Sequence, residues 1–135
     1  MPIDTTAHVI FTDDHIERIR RGTAPAARLA WQILPYYFDF YQHRLNHWSC
    51  RVHEPAVTAA LLDPSLVSAS VSRSMIVESI ADRHRVVGLT EADPEFPSLR
   101  PKATIVTAID TNRFLDRLVD GLVLPLGTLP VREMV

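Results

Sequence analysis

The sequence predicts an α/β fold of mixed, helix-rich type, and three observations carry that prediction. Apolar residues recur at three- and four-residue spacing over two long stretches, one from Ala26 to Tyr41 and one from Phe114 to Leu122. Runs rich in β-branched residues cluster in between, from Ser74 to Ile109. At 135 residues with 47% apolar content, the chain suits one globular domain with one core rather than a disordered or fibrous chain.

The elements follow in order. Residues 8–11 form a short β-prone run, and Thr12 is placed to cap a helix from Asp13, whose Ile16 and Ile19 share a face and which stops near Gly22. After Thr23 and Pro25, the positions Ala26, Leu29, Ala30, Ile33, Leu34, Tyr37, Phe38 and Tyr41 give a second, longer helix, which Pro35 is expected to kink. Residues 55–62 read as a third helix, with Pro55 in its first turn, an apolar stripe of Ala56, Val57, Ala60 and Leu61, and Asp63 and Pro64 closing it. Residues 74–80 and 85–90 form a β-hairpin about a polar turn at 81–84, and residues 102–109 add a strand. Asp110 then caps a last helix, with Phe114, Leu115, Leu118, Val119 and Leu122 on one face. The domain spans residues 1–124, with an irregular tail at 125–135.

Composition narrows the classes of function. A formal charge of −2, from 14 Lys+Arg against 16 Asp+Glu, produces no broad field for nucleic acid or an anionic membrane. Cys50 is the single cysteine, which rules out an internal disulfide and a tetrathiolate metal site. No run approaches the roughly 18 apolar residues of a membrane span, and the acidic start MPIDTTAHVIFTDDH lacks the apolar stretch of a signal peptide. The expectation is a cytoplasmic protein without nucleic-acid or membrane partners.

The stretch CRVHEPAVTAALLDPSLV, residues 50–67, carries the most chemistry. His53 and Glu54 sit where a helix begins, and a helix N-terminus offers free N–H groups and a partial positive end that favour a carboxylate and a bound polar ligand. Together they offer a proton donor and a hard oxygen ligand at one point. The plain alternative is a first-turn carboxylate beside a partly exposed histidine. Asp13 and Asp14 read as first-turn residues stabilised by the helix dipole. His43 and His47, four apart and followed by His53 and Glu54, raise a zinc alternative, set against two histidines on a solvated face near a fraying helix end.

Around that stretch, the order of segments resembles the inosine-uridine preferring nucleoside hydrolases. IDTTAHVIFT, DDHIERIR, the helix through YYFDFY, HEPAVTAALLDPSLV, IVESIADRHRVVGLTEAD and KATIVTAIDTNRFLDRLVDGL follow the second half of that family segment by segment. The string HxPxxxAxxxDPSLV is the most specific of these. The fold implied is the C-terminal half of a nucleoside hydrolase-like fold with a small β-hairpin. The activity implied is N-glycosidic hydrolysis of a ribonucleoside, in which the sugar develops oxocarbenium character as the base leaves. By position in the family pattern, His53 is the catalytic residue at the base, Glu54 a calcium ligand, and Tyr37 and Tyr41, one helical turn apart, substrate-binding contacts to the base.

Two departures shape the expectation for this chain. Glu54 replaces the family's aspartate, and its longer arm displaces an oxygen that calcium needs at about 2.3–2.6 Å. The family's N-terminal cluster of the DxDxGxDD kind, which supplies most calcium ligands and the catalytic base, is absent, as is its Asn- and Glu-bearing ribose segment. The sequence begins close to where the family's second half begins, so a split gene, a truncated copy or one half of a two-chain enzyme is expected. The chain is then inactive alone and associates with a complementary chain or with itself, since the surface that the other half would cover is apolar. A noncatalytic binding module and one chain of a complemented enzyme are the alternatives, and an upstream reading frame encoding the aspartate cluster would separate them.

Overall fold

The structure, a computed structural model, describes residues 1–80, 83–89 and 102–125. Its elements are α1 (Ile3–Thr6), α2 (Asp13–Arg21), α3 (Pro25–Leu45), α4 (His53–Leu62), a 3-10 turn (Pro64–Leu66), β1 (Val67–Ile80), β2 (Arg83–Leu89), β3 (Lys102–Ile109) and α5 (Thr111–Val123). Residues 81–82 of the expected hairpin turn, the end of its second strand at residue 90, and residues 126–135 of the expected tail lie outside the described residues.

Capping fixes the helix starts. Thr12 Oγ1 accepts from the His15 amide, while the His15 ring returns a bond to the Thr12 amide at 3.2 Å, a reciprocal arrangement at the start of α2. Asp13 and Asp14 fall in its first turn as expected, where Asp14 lies 3.9 Å from Arg18 and Asp13 pairs with His47 at 3.1 Å. At the other end of the chain, Asp110 accepts from the Arg113 amide at 3.1 Å and starts α5. Gly22 ends α2 against α3 so closely that a Cβ there would fall 2.5 Å from the Ala27 Cβ.

The core forms where α2, α3 and α5 converge. Ile16 and Ile19 of α2, Phe38 of α3, and Phe114, Leu115 and Val119 of α5 are buried together with Val9, Phe11, Cys50, Val52, Ala56 and Leu66. Leu118 and Leu122 pack against this cluster, so the face expected for α5 is the face it buries. Across the α2–α5 contact, Arg18 donates to Asp116 at 2.9 Å and to Asp120 at 2.5 Å. Hydrogen bonding by Arg18, helped by His15, holds the Asp116 carboxyl below its ordinary value, so this contribution is present at neutral pH and fades as acid protonates the carboxylate.

The sheet is antiparallel, in the order β2-β1-β3. The first half of β1 pairs with β3 from Val67↔Ile109 to Ser74↔Lys102, and its second half pairs with β2 from Ser74↔Leu89 to Ile80↔Arg83. The expected first strand of the hairpin therefore starts seven residues earlier, at Val67, because the residues before Ser74 have β3 as a partner. Residues 8–11 form no strand: Ile10 bridges Arg51 alone, with the Val52 amide on the Val9 carbonyl at 2.8 Å, because the opposite segment enters α4 at His53.

Two further expectations change. α4 begins at His53, two residues before Pro55, and its inward positions are Ala56 and Ala59, whereas Val57 and Leu61 of the expected stripe are exposed. Small residues at the contact let α4 approach the core closely, while its larger apolar side chains face outward. α3 ends at Leu45, with Asn46 in the left-handed conformation at φ 50°, so His43 and His47 do not share a helical face.

Candidate functional site

α4 places His53 and Glu54 at its first two positions, and Val52 before them provides no side-chain cap. The amides of this turn are therefore free of side-chain acceptors at the tip where both residues sit. Successive residues of a helix point about 100° apart, and the two side chains follow different neighbours. His53 turns toward α1, where its Nδ1 lies 2.7 Å from Oγ1 of Thr6. Thr6 is buried at 3% exposure and also donates to the Ile3 carbonyl at 3.1 Å. Its neighbour Thr5 donates to the Val106 carbonyl of β3 at 3.0 Å, so the single turn of α1 is fastened between the sheet and α4.

Glu54 is exposed and stands on the rim of a groove of about 510 Å³ between α4 and α5. Leu62, Leu66, Phe114 and Leu118 make its walls apolar, and Thr58, Asp63 and Arg117 add polar groups. Asp63 is the residue that holds this end together. It accepts from the Ser65 amide at 3.1 Å and from Ser65 Oγ at 2.5 Å, and it pairs with Arg117 and, at 3.7 Å, with Arg113 of α5. The aspartate of the DPSLV string thus starts the 3-10 turn and ties α4 to α5, a structural role.

Tyr37 and Tyr41 lie one turn apart on α3. Tyr37 is 51% exposed and meets the Tyr36 ring in a T-shaped contact at 6.5 Å, whereas Tyr41 packs against the core and meets Phe40 at 5.2 Å. Cys50 is buried, and burial pushes its thiol up to about 11, which leaves it a poor nucleophile at neutral pH. Among the described residues no three His, Cys, Asp or Glu side chains converge on a point where a metal could sit, and no helix is long and apolar enough to cross a membrane. The zinc alternative loses its geometric basis, since His47 is engaged with Asp13 beyond the end of α3.

The sequence profile of the inosine-uridine preferring nucleoside hydrolases matches residues 1–116. The chain belongs to that family. Pyrimidine-specific ribonucleoside hydrolase RihA of Shewanella sp. (strain MR-7) is 30% identical over 124 residues, covering 89% of this chain and 37% of the relative. The inosine-uridine preferring nucleoside hydrolase of Crithidia fasciculata is 24% identical over 123 residues, covering 89% of this chain and 38% of the relative. The fold matches that of a plant nucleoside hydrolase, the PpNRh1 enzyme, with a TM-score of 0.81 at 18% identity, over 93% of this chain and 41% of the plant chain. The chain thus spans about 37–41% of the length of these relatives.

Thr6 is the site residue that sequence reasoning missed. Its segment, IDTTAHVIFT, opens the family resemblance, but no local pattern in it marks that hydroxyl as facing a histidine. In a helical turn the same residue reaches an imidazole 47 positions away.

Proposed function

We propose that this nucleoside hydrolase chain forms the base-side wall of a ribonucleoside N-glycosidase site, completed by an aspartate-bearing half from outside these 135 residues. The observation that carries this reading is the pair His53 and Glu54 at the uncapped start of α4, one ring held by a buried hydroxyl and one carboxylate beside a groove. His53 is the proton donor. When the N-glycosidic bond breaks, its electron pair moves onto the base, and a proton from the ring neutralises the developing charge. Tyr37, half exposed on α3, is the residue of the two tyrosines available to a base, and Tyr41 supports it from the core side.

Calcium is not accommodated by the described residues of this chain alone. The ion takes six to eight oxygens, and the described residues offer Glu54 without a second and third metal-ligating side chain beside it. No chemical step is therefore assigned to a metal here, and Glu54 is proposed as one ligand of a site shared with the missing aspartates. The exposed apolar side chains support the same reading. Leu29, Ile33, Tyr36, Tyr37 and Phe40 run along one side of α3, and Leu61 and Leu62 stand out from α4, exposed apolar side chains of the kind that a partner surface covers.

Hydrolysis of inosine and uridine tests this proposal. The chain alone, with calcium present, is expected to release no base above the uncatalysed rate, and addition of a half carrying the aspartate cluster is expected to restore turnover. Turnover by the chain alone contradicts the need for another half. No turnover from a stable, stoichiometric complex contradicts the catalytic role and favours a noncatalytic module.

A further inference from the structure

We propose that Thr6 is a positioning residue that fixes the tautomer of His53, leaving Nε2 as the nitrogen that carries the working proton. This rests on the reading of His53 as the proton donor. The threonine hydroxyl has a single proton and two short neighbours, the Ile3 carbonyl at 3.1 Å and the His53 Nδ1 at 2.7 Å. Only one assignment makes both contacts hydrogen bonds. The hydroxyl donates to the carbonyl and accepts from Nδ1–H. The reverse assignment, with the hydroxyl donating to Nδ1, leaves two oxygens 3.1 Å apart with no proton between them.

Burial strengthens the assignment. Thr6 is 3% exposed, so water has little access to replace either partner. The Ile3 carbonyl also receives the Ala7 amide at 2.8 Å, using its second lone pair, and Thr5 anchors the same turn to β3 at 3.0 Å. The turn that carries the hydroxyl is thus anchored by hydrogen bonds within itself and to β3. During base departure the imidazolium gives up its Nε2 proton to the base and remains as the neutral ring bearing Nδ1–H. The bond to Thr6 is the same before and after transfer, so the ring does not reorient during the step.

Ring-nitrogen NMR of the full chain labelled with nitrogen-15, recorded at alkaline pH where the ring is neutral, reads the tautomer without substrate, metal or a second half. The wild-type chain is expected to show a protonated Nδ1 and an unprotonated Nε2 at His53. Thr6→Val, which keeps the shape and removes the hydroxyl, is expected to shift His53 toward the Nε2–H form favoured by free histidine, and Thr6→Ser is expected to restore Nδ1–H. A wild-type His53 in the Nε2–H form overturns the proposal by itself, whether or not Thr6→Val folds. An unchanged Nδ1–H signal in folded Thr6→Val also overturns it. Absence of hydrolysis in the completed complex, with the Nδ1–H form present and Thr6-dependent, counts against the enzyme reading and leaves the tautomer assignment standing.

Discussion

His53→Ala in the completed complex is expected to lower kcat for inosine by roughly 10²–10⁴-fold, the range that a positioned proton donor contributes. A purine or pyrimidine leaves poorly as an anion, so removing the donor places unneutralised charge on the departing base in the transition state. An activated leaving group, such as the nitrophenolate of a nitrophenyl riboside, does not need that proton, and its turnover is expected to change little. Steady-state rates on both substrates separate this role from a structural one. Equal losses on both contradict proton donation and mean that the ring supports the fold through Thr6 at 2.7 Å.

Phe38→Ala is expected to be the most damaging change to the fold, at about 3–5 kcal/mol. Phe38 is fully buried in α3 and meets Trp48 edge to face at 4.8 Å, in the cluster shared with α2 and α5. Truncation removes the ring and leaves a cavity that rigid helices on several sides cannot close. Against a total stability of about 5–15 kcal/mol for a small domain, that is a large share. Tyr36→Ser, two positions away but 81% exposed, is expected to stay within about 0.5 kcal/mol. Urea unfolding monitored by circular dichroism measures both. A Tyr36 effect as large as that of Phe38 would place the packed face of α3 on its other side.

The helices were largely legible because their ends and inward faces are local signals. Thr12, Gly22, Pro25 and Asp110 mark boundaries through capping and backbone preference, and the α5 stripe of Phe114, Leu115 and Val119 is buried as its spacing implied. The helix of α4 is present as expected, with Ala56 inward, but Val57 and Leu61 of the expected stripe face out because tertiary contact, rather than hydrophobicity, decides which face turns inward. Its alanines pack, and Leu61 at 78% exposure does not. The short run at residues 8–11 has β-prone residues, but its partner segment enters a helix after Val52, a fact that no local pattern contains.

For the site, sequence placed His53 and Glu54 at a helix start and the structure keeps them there. It could not give their directions, one side chain toward Thr6 and the other toward the α4–α5 groove, because those depend on where α4 begins. Tyr37 and Tyr41 share a helical face, yet one is half exposed and the other is packed on the core, a difference set by neighbours distant in sequence. Family resemblance, spread over residues 1–116 with its most specific string at residues 53–67, supplied the functional class that periodicity alone does not reach.

Isothermal titration of calcium into the chain alone, into its complex with an aspartate-bearing half, and into the same complex carrying Glu54→Ala tests most directly whether α4 contributes one wall of a shared site. The account predicts stoichiometric binding only in the complex, weakened by Glu54→Ala. Stoichiometric binding by the isolated chain, or unchanged affinity without the Glu54 carboxylate, would contradict it.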